Sequence, residues 1–235
     1  MTEAEAVYSI REKLRQYSDD SDVDDREIIF ELNNQRALYM RNQYNQKYRS
    51  VDPDVMQTVC MELEVADSSD CGCYDTGCYI VRTKKELPNP IELHSAPLIY
   101  RVAPIGKTTQ PYNLVSHLRA INAGQSKFNK NVVYAFYYTD GKIYLKSRNP
   151  LHKLLKAISV TAVFENPQKL ANFNTCTEDP VVCYDPLVDE YPIKAHALVY
   201  ITEPVIKMLA FKLGVPEDKY NNADDDAAPA ARENV

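Results

Sequence analysis

Glycine is scarce in this 235-residue chain, with six in all, and histidine is scarcer still, with four. So few glycines leave little material for a phosphate cradle of backbone N–H groups. The nearest match, Gly106-Lys107-Thr108, has Arg101 where the template requires glycine and Pro111 where a helix should begin. It reads as a turn. His94, His117, His152 and His196 are widely spread and form no HExxH-type array, and no serine sits in a G-x-S-x-G elbow. Long apolar runs are missing too: the longest, residues 132–138, suits a buried strand and falls far short of the roughly eighteen residues that cross a bilayer. The opening MTEAEAVYSIREK lacks the basic and apolar regions of a secretory signal. The chain is therefore expected to be kept in a reducing cytosol, where stable disulfides are the less favoured use of its six cysteines.

What is present is an ordinary apolar share of 45% and a segregated charge. Residues 1–78 carry 8 Lys/Arg against 17 Asp/Glu, residues 79–170 carry 14 against 4, and residues 171–235 carry 5 against 12. A basic block between acidic ends suits either a polyanion or further copies of the same chain as partner.

Val7, Ile10, Leu14 and Tyr17 recur at helical spacing and predict an amphipathic helix over residues 3–17. A second, stronger helix is expected from about residue 25 into the high forties. Asp24 is its N-cap, Glu27 stands at N3, Val23 and Ile28 form a staple, and Arg36, Arg41, Lys47 and Arg49 lie toward the negative end of its dipole. From Pro53 the period shortens to two: Val59, Met61, Leu63 and Val65 alternate with Cys60, Glu62 and Glu64. Short strands are expected at 79–83 and 98–102, and another carries Ile158, Val160, Ala162 and Phe164. In VVYAFYYTDGKIYLKS, Asp140-Gly141 predicts a two-residue type I′ hairpin, with Tyr137 opposite Tyr144. Residues 171–192 read as loop, and a last helix is expected to start at Thr202 and stop at Gly214.

The expected fold is α+β, a helical platform of two N-terminal helices and one C-terminal helix with an inserted antiparallel β domain. Its parts are helices over 1–50, the β domain over 53–167, a loop and helix over 168–215, and a disordered acidic tail over 216–235.

Three patterns could carry chemistry. Asp20, Asp22, Asp24 and Glu31 match positions 1, 3, 5 and 12 of a calcium loop, but Asp25 replaces its glycine, and the acids read better as capping and dipole charges. Cys71, Cys73 and Cys78 fall within CGCYDTGC, and Cys60, Cys176 or Cys183 could complete a zinc set; the pair spacing is tighter than usual, and a connecting loop with reduced thiols is favoured. Lys127, Lys130, Lys142, Lys146, Arg148, Lys153 and Lys156 lie near tyrosines and could face nucleic acid, although no reading helix or RNP-like motif accompanies them. No catalytic, cofactor-binding or metal-ligating residue is assigned.

In order, DREIIFELNNQRALYMRNQYNQ, MELEVADSSDC, YIVRTKKELPNPIELH, IYRVAPI, NVVYAFYYTDGKIYLKS, ISVTAVFENP and DEYPI resemble the neck ring proteins of crAss-like bacteriophages, over residues 20–215. The resemblance implies a non-enzymatic, podovirus-like head-to-tail adaptor of the virion, made in the host cytoplasm. It implies a homo-oligomeric ring of twelve under the portal protein, contacts with other neck and tail rings, and a channel through which DNA leaves, with non-specific DNA contact and no membrane. Segregated charge suits the heterologous interface a ring requires, with the 25–49 helix expected in that contact. The alternatives are a nucleic-acid-binding module using the basic hairpin and a small zinc domain.

Overall fold

The computed structural model describes residues 1–17, 23–45, 51–67, 79–94, 96–106, 109–120, 122–123, 127–176 and 181–213. Helices α1 (Glu3–Tyr17) and α2 (Asp25–Tyr44) precede strands β1 (Gln57–Asp67), β2 (Tyr79–Thr83), β3 (Ile99–Pro104) and β4 (Asn113–Leu114). A short α3 (His117–Ala120) leads to β5 (Tyr134–Tyr137), β6 (Ile143–Lys146) and β7 (Ala157–Ala162), and α4 (Ala195–Lys212) follows. The seven strands form one sheet in the order β3-β7-β1-β2-β6-β5-β4. The α+β class is as expected. The sheet is antiparallel except at one edge, where β4 pairs parallel with β5.

Both N-terminal helices begin with side-chain caps. The Thr2 hydroxyl accepts from the Glu5 N–H and the Glu5 carboxylate accepts from the Thr2 N–H, a reciprocal capping box. Asp24 accepts from the Arg26 N–H at 3.1 Å and so caps α2. Ile10 and Leu14 of α1, Ile28 and Leu32 of α2 and Ile201, Val205 and Leu209 of α4 bury one another in a three-helix core. Helix α4 starts seven residues before the expected Thr202. Ala197, Ile201 and Val205 continue the buried stripe at four-residue spacing, and the Thr202 hydroxyl bonds back to the Val199 carbonyl at 3.3 Å instead of capping. Pro204 is thus inside the helix. The bond it cannot make would run to Tyr200, on a turn where Val199 and Tyr200 face outward and water can donate to the free carbonyl.

Strand β7 is buried on both faces, Ser159 and Thr161 as well as Ile158, Val160 and Ala162, because β3 and β1 flank it and layers cover it. Val59, Met61 and Leu63 of β1 join it in the main core, as their alternation requires. Val65 continues that face but is half exposed, while Ala66 packs under Phe136 and Tyr144 on the opposite face.

The β5–β6 hairpin differs from expectation by one residue. Tyr137 pairs with Ile143 and Phe136 with Tyr144, so Ala135, Tyr137, Ile143 and Leu145 share the main-core face. The loop is longer than two residues: the Gly141 N–H donates to the Tyr138 carbonyl, and the Tyr138 N–H donates to the Lys142 carbonyl, both at 3.1 Å. Gly141 has φ +74° while Asp140 stays at negative φ, so the loop is a turn closed by a glycine bulge, not type I′. One extra loop residue turns every side chain of one strand to the other face.

Residues 173–175 and 181–183, within the stretch expected as plain loop, pair with each other and lie beside the first half of β1. The Cys60 N–H donates to the Asn174 carbonyl at 3.1 Å, the Thr175 N–H to Val181 at 2.8 Å and the Cys183 N–H to Phe173 at 2.9 Å.

Candidate assembly interface

The junction between helices and sheet is a buried polar cluster. Arg36 stands four residues after Leu32 and four before Met40, on the buried stripe of α2, and is fully enclosed. Its Nη1 donates to the Phe164 carbonyl at 2.7 Å, its Nε to the Pro192 carbonyl at 2.9 Å, and the guanidinium lies 5.7 Å from the Tyr191 ring centre. Tyr184 donates to Glu3 at 3.1 Å and Tyr191 to Asn33 at 2.9 Å. Burial holds the Glu3 carboxyl above its ordinary range, against the pull of Tyr184, Asn33 and Arg36, and it pushes both tyrosines up as well. Arg36 was expected among the cations at the end of the helix dipole. It is instead the tie between α2, the end of β7 and the 184–192 segment. The stripe position was the available signal.

The calcium reading dissolves on α2. Asp24 is the cap, Asp25 pairs with Arg11, and Glu27 and Glu31 both bind Lys212 of α4, at 2.8 and 3.3 Å; Asp20 and Asp22 lie outside the described residues. Of the zinc candidates, Cys71, Cys73 and Cys78 lie outside the described residues. Cys60, Cys176 and Cys183 do converge beside β1. Burial first, then the Cys60 thiol, pushes Cys176 up to about 12, and burial pushes Cys183 up to about 11. Among the described residues no group of three or more His, Cys, Asp or Glu is arranged to hold a metal ion.

Two hairpin lysines expected to face a polyanion are engaged within the chain. Lys146 donates to the Ala120 carbonyl at 2.9 Å, and its ammonium is held below its ordinary value by burial; Lys142 lies 3.7 Å from Glu64. Arg148, Lys153 and Lys156 remain near the surface, and Lys130 is exposed, while the Lys127 side chain lies outside the described residues. The histidines share no site: His117 packs edge-on to Tyr138, His152 Nδ1 lies 2.7 Å from the Asn149 carbonyl, and the His94 N–H donates to Asn45.

The outside of the molecule carries large apolar side chains in groups. Leu151 and Leu154, on the 3-10 turn before β7, are 63% and 74% exposed. Leu187 and Val188 are 72% and 75% exposed, beside Tyr8 of α1. Tyr39 and Tyr200 stack at 6.4 Å on the outer side of α2 and α4. A cleft of about 410 Å³ between α2 and the end of the sheet is lined by Phe30, Asn33, Asn34, Arg41, Asn89 and Glu165.

An α+β body that encloses its own polar cluster and presents several apolar groups outward has the features of a protein that works by assembly. The chain belongs to the phage tail ring protein 2 family, whose model matches residues 5–227. It is 28% identical to Ring protein 2 of Bacteroides phage crAss001 over 232 residues, 98% of this chain and the full length of that protein. The resemblance to crAss-like ring proteins therefore holds, and the family is one of structural ring proteins of the virion. No described helix is long and apolar enough to cross a membrane.

Proposed function

We propose that this chain is a non-enzymatic connector subunit of the virion neck or tail. Copies of it close into a ring that joins portal to tail and surrounds the channel through which DNA leaves. The observation that carries this reading is the family match over nearly the whole chain. The fold supports it in physical terms. The Arg36 junction locks helices and sheet into one body, so a subunit keeps its shape while its outer faces bind neighbours. Charge is segregated along the chain, and complementary acidic and basic surfaces are what a head-to-tail contact between identical subunits requires. Twelve copies per ring, neighbouring portal and tail rings, and passing non-specific contact with DNA complete the proposal. The acidic 216–235 and 71–78 segments are proposed contacts with the rings above and below.

Native mass spectrometry of the full chain, alone and mixed with its portal, tests this. A discrete ring mass, or a complex of ring and portal, is the expected result. Monomers alone in both samples would remove the proposal.

A further inference from the structure

Helix α4 carries large apolar side chains on both of its sides. Ile201, Val205 and Leu209 face inward, in the three-helix core. Val199, Tyr200 and Phe211 face outward and are 56%, 67% and 82% exposed. A surface helix ordinarily keeps its outward side polar, and one that is apolar on its outer side as well is a helix that something covers.

The order of the residues on that outer side points to the occupant. Val199, Glu203, Lys207 and Phe211 recur every four residues, all four are exposed, and together they form one ridge along the helix. At about 1.5 Å of rise per residue the ridge is about 18 Å long. It reads apolar, acidic, basic, apolar, and is therefore complementary to itself when reversed. A second α4 laid antiparallel, with a twofold axis level with Val205, sets Glu203 of each copy against Lys207 of the other and Val199 of each against Phe211 of the other. The same axis brings Tyr200 level with the half-buried Ala210, a large side chain against a small one. Parallel pairing in register would instead set glutamate on glutamate and lysine on lysine. Both charges are available for the contact, because among the described residues neither Glu203 nor Lys207 has a hydrogen-bond or ion-pair partner. Lys212, just beyond the ridge, differs: Glu27 and Glu31 of α2 hold it.

We propose that the unassembled chain is a twofold dimer in which the outer ridges of two α4 helices pack antiparallel, so that the occupant of this face is a second copy of the chain. The inference goes beyond the ring reading and does not rest on it. Neighbours in a ring generated by one rotation axis are not related by a twofold. Ring closure therefore parts the two helices, and the dimer is a state of the chain before it enters a ring.

Sedimentation equilibrium of the full chain across the micromolar range tests this, and a reversible equilibrium of monomer and dimer is the expected result. Glu203→Lys and Lys207→Glu, made separately, each create two like-charged pairs at the axis and should weaken the dimer on the order of tenfold. The two variants mixed should pair with each other, because one brings two lysines to the axis and the other two glutamates. Both exchanges in one chain should restore the unaltered dimer. Phe211→Asp should weaken it on the order of a hundredfold. A dimer indifferent to the single reversals, or a double exchange that restores nothing, would overturn the interface. An unaltered chain that forms no dimer while rings still assemble would overturn the inference and leave the ring reading standing; monomers alone, with and without the portal, would remove both. A dimer that appears only on deletion of residues 216–235 would make that tail the occupant of the ridge and overturn the proposal. Every substituted position is exposed, and circular dichroism checks that each variant folds. If a charge reversal fails to fold, Glu203→Gln with Lys207→Gln replaces it and should abolish the salt dependence of the dimer; a salt dependence that persists would overturn the pairing. If Phe211→Asp fails to fold, Val199→Asp replaces it, with the same outcomes.

Discussion

Arg36 Nη1 donates to the Phe164 carbonyl at 2.7 Å, so a buried cation of α2 binds the chain two residues past the end of β7. Past the end of β7 the 89–91 segment pairs with Val163 and Glu165 but Pro90, opposite Phe164, has no N–H to donate, and the planar guanidinium satisfies the Phe164 and Pro192 carbonyls with its fork of donors. A lysine could not reproduce that geometry. Arg36 thus ties helices to sheet beside the apolar contacts of Ala37 and Met40 with Ile91 and Val163 and the Arg41–Glu165 ion pair.

Removing that side chain should be costly. Arg36→Ala leaves two buried carbonyls unpaired and opens a cavity, and the expected loss is about 3–5 kcal/mol of folding stability. Urea unfolding followed by circular dichroism measures it. A midpoint equal to that of the unaltered chain would show that the junction contributes nothing.

Glu3 gives the cluster a pH dependence of defined sign. Its folded carboxyl is held above the ordinary carboxylate value by burial, with Tyr184, Tyr191, Arg36, Asn33 and Gln168 around it. Just above the unfolded value the folded chain therefore holds the proton that the unfolded chain has lost. Stability from this group falls as pH rises through that window and is level above the folded value. Glu3→Gln should flatten that part of the stability curve relative to the unaltered chain, measured by urea midpoints across the acid range. Parallel curves would contradict the assignment.

Cys176 and Cys183, pushed up to about 12 and about 11, should be poor nucleophiles in the folded chain. At pH 8 their alkylation by iodoacetamide should be slower than in urea on the order of a hundredfold, because only the thiolate reacts. Peptide mapping by mass spectrometry reads each site separately. Equal rates in the two states would mean that the thiols are not buried as described.

The two hairpin lysines make a further distinction. Lys146 is bonded to Ala120 and Lys142 lies near Glu64, so Lys142→Glu with Lys146→Glu should leave any retention on duplex DNA, and its salt slope, unchanged. A nucleic-acid site on this hairpin requires the opposite, a shallower slope and lost retention.

Helix α1, the Asp24 cap and the alternation of β1 were legible in the sequence because each is a local pattern with a local cause. The hairpin register was not. Asp140-Gly141 signals a turn but does not say whether Thr139 belongs to it, and that one residue decides whether Tyr137 meets Tyr144 or Ile143. Thr202 and Pro204 imitate a helix start, and only the burial of Ala197 and the packing of Leu198 and Ile201 against α1 and α2 show that α4 begins earlier. At the junction, Arg36 stood on an apolar stripe, but its partners are 128 and 156 residues away. No spacing rule reaches that far.

Imaging of intact virions by electron cryomicroscopy tests the central claim most directly. This fold should recur around the axis of the neck or tail as a closed ring enclosing the DNA channel. Its presence as isolated copies off that axis, or its absence from the particle, would contradict the account.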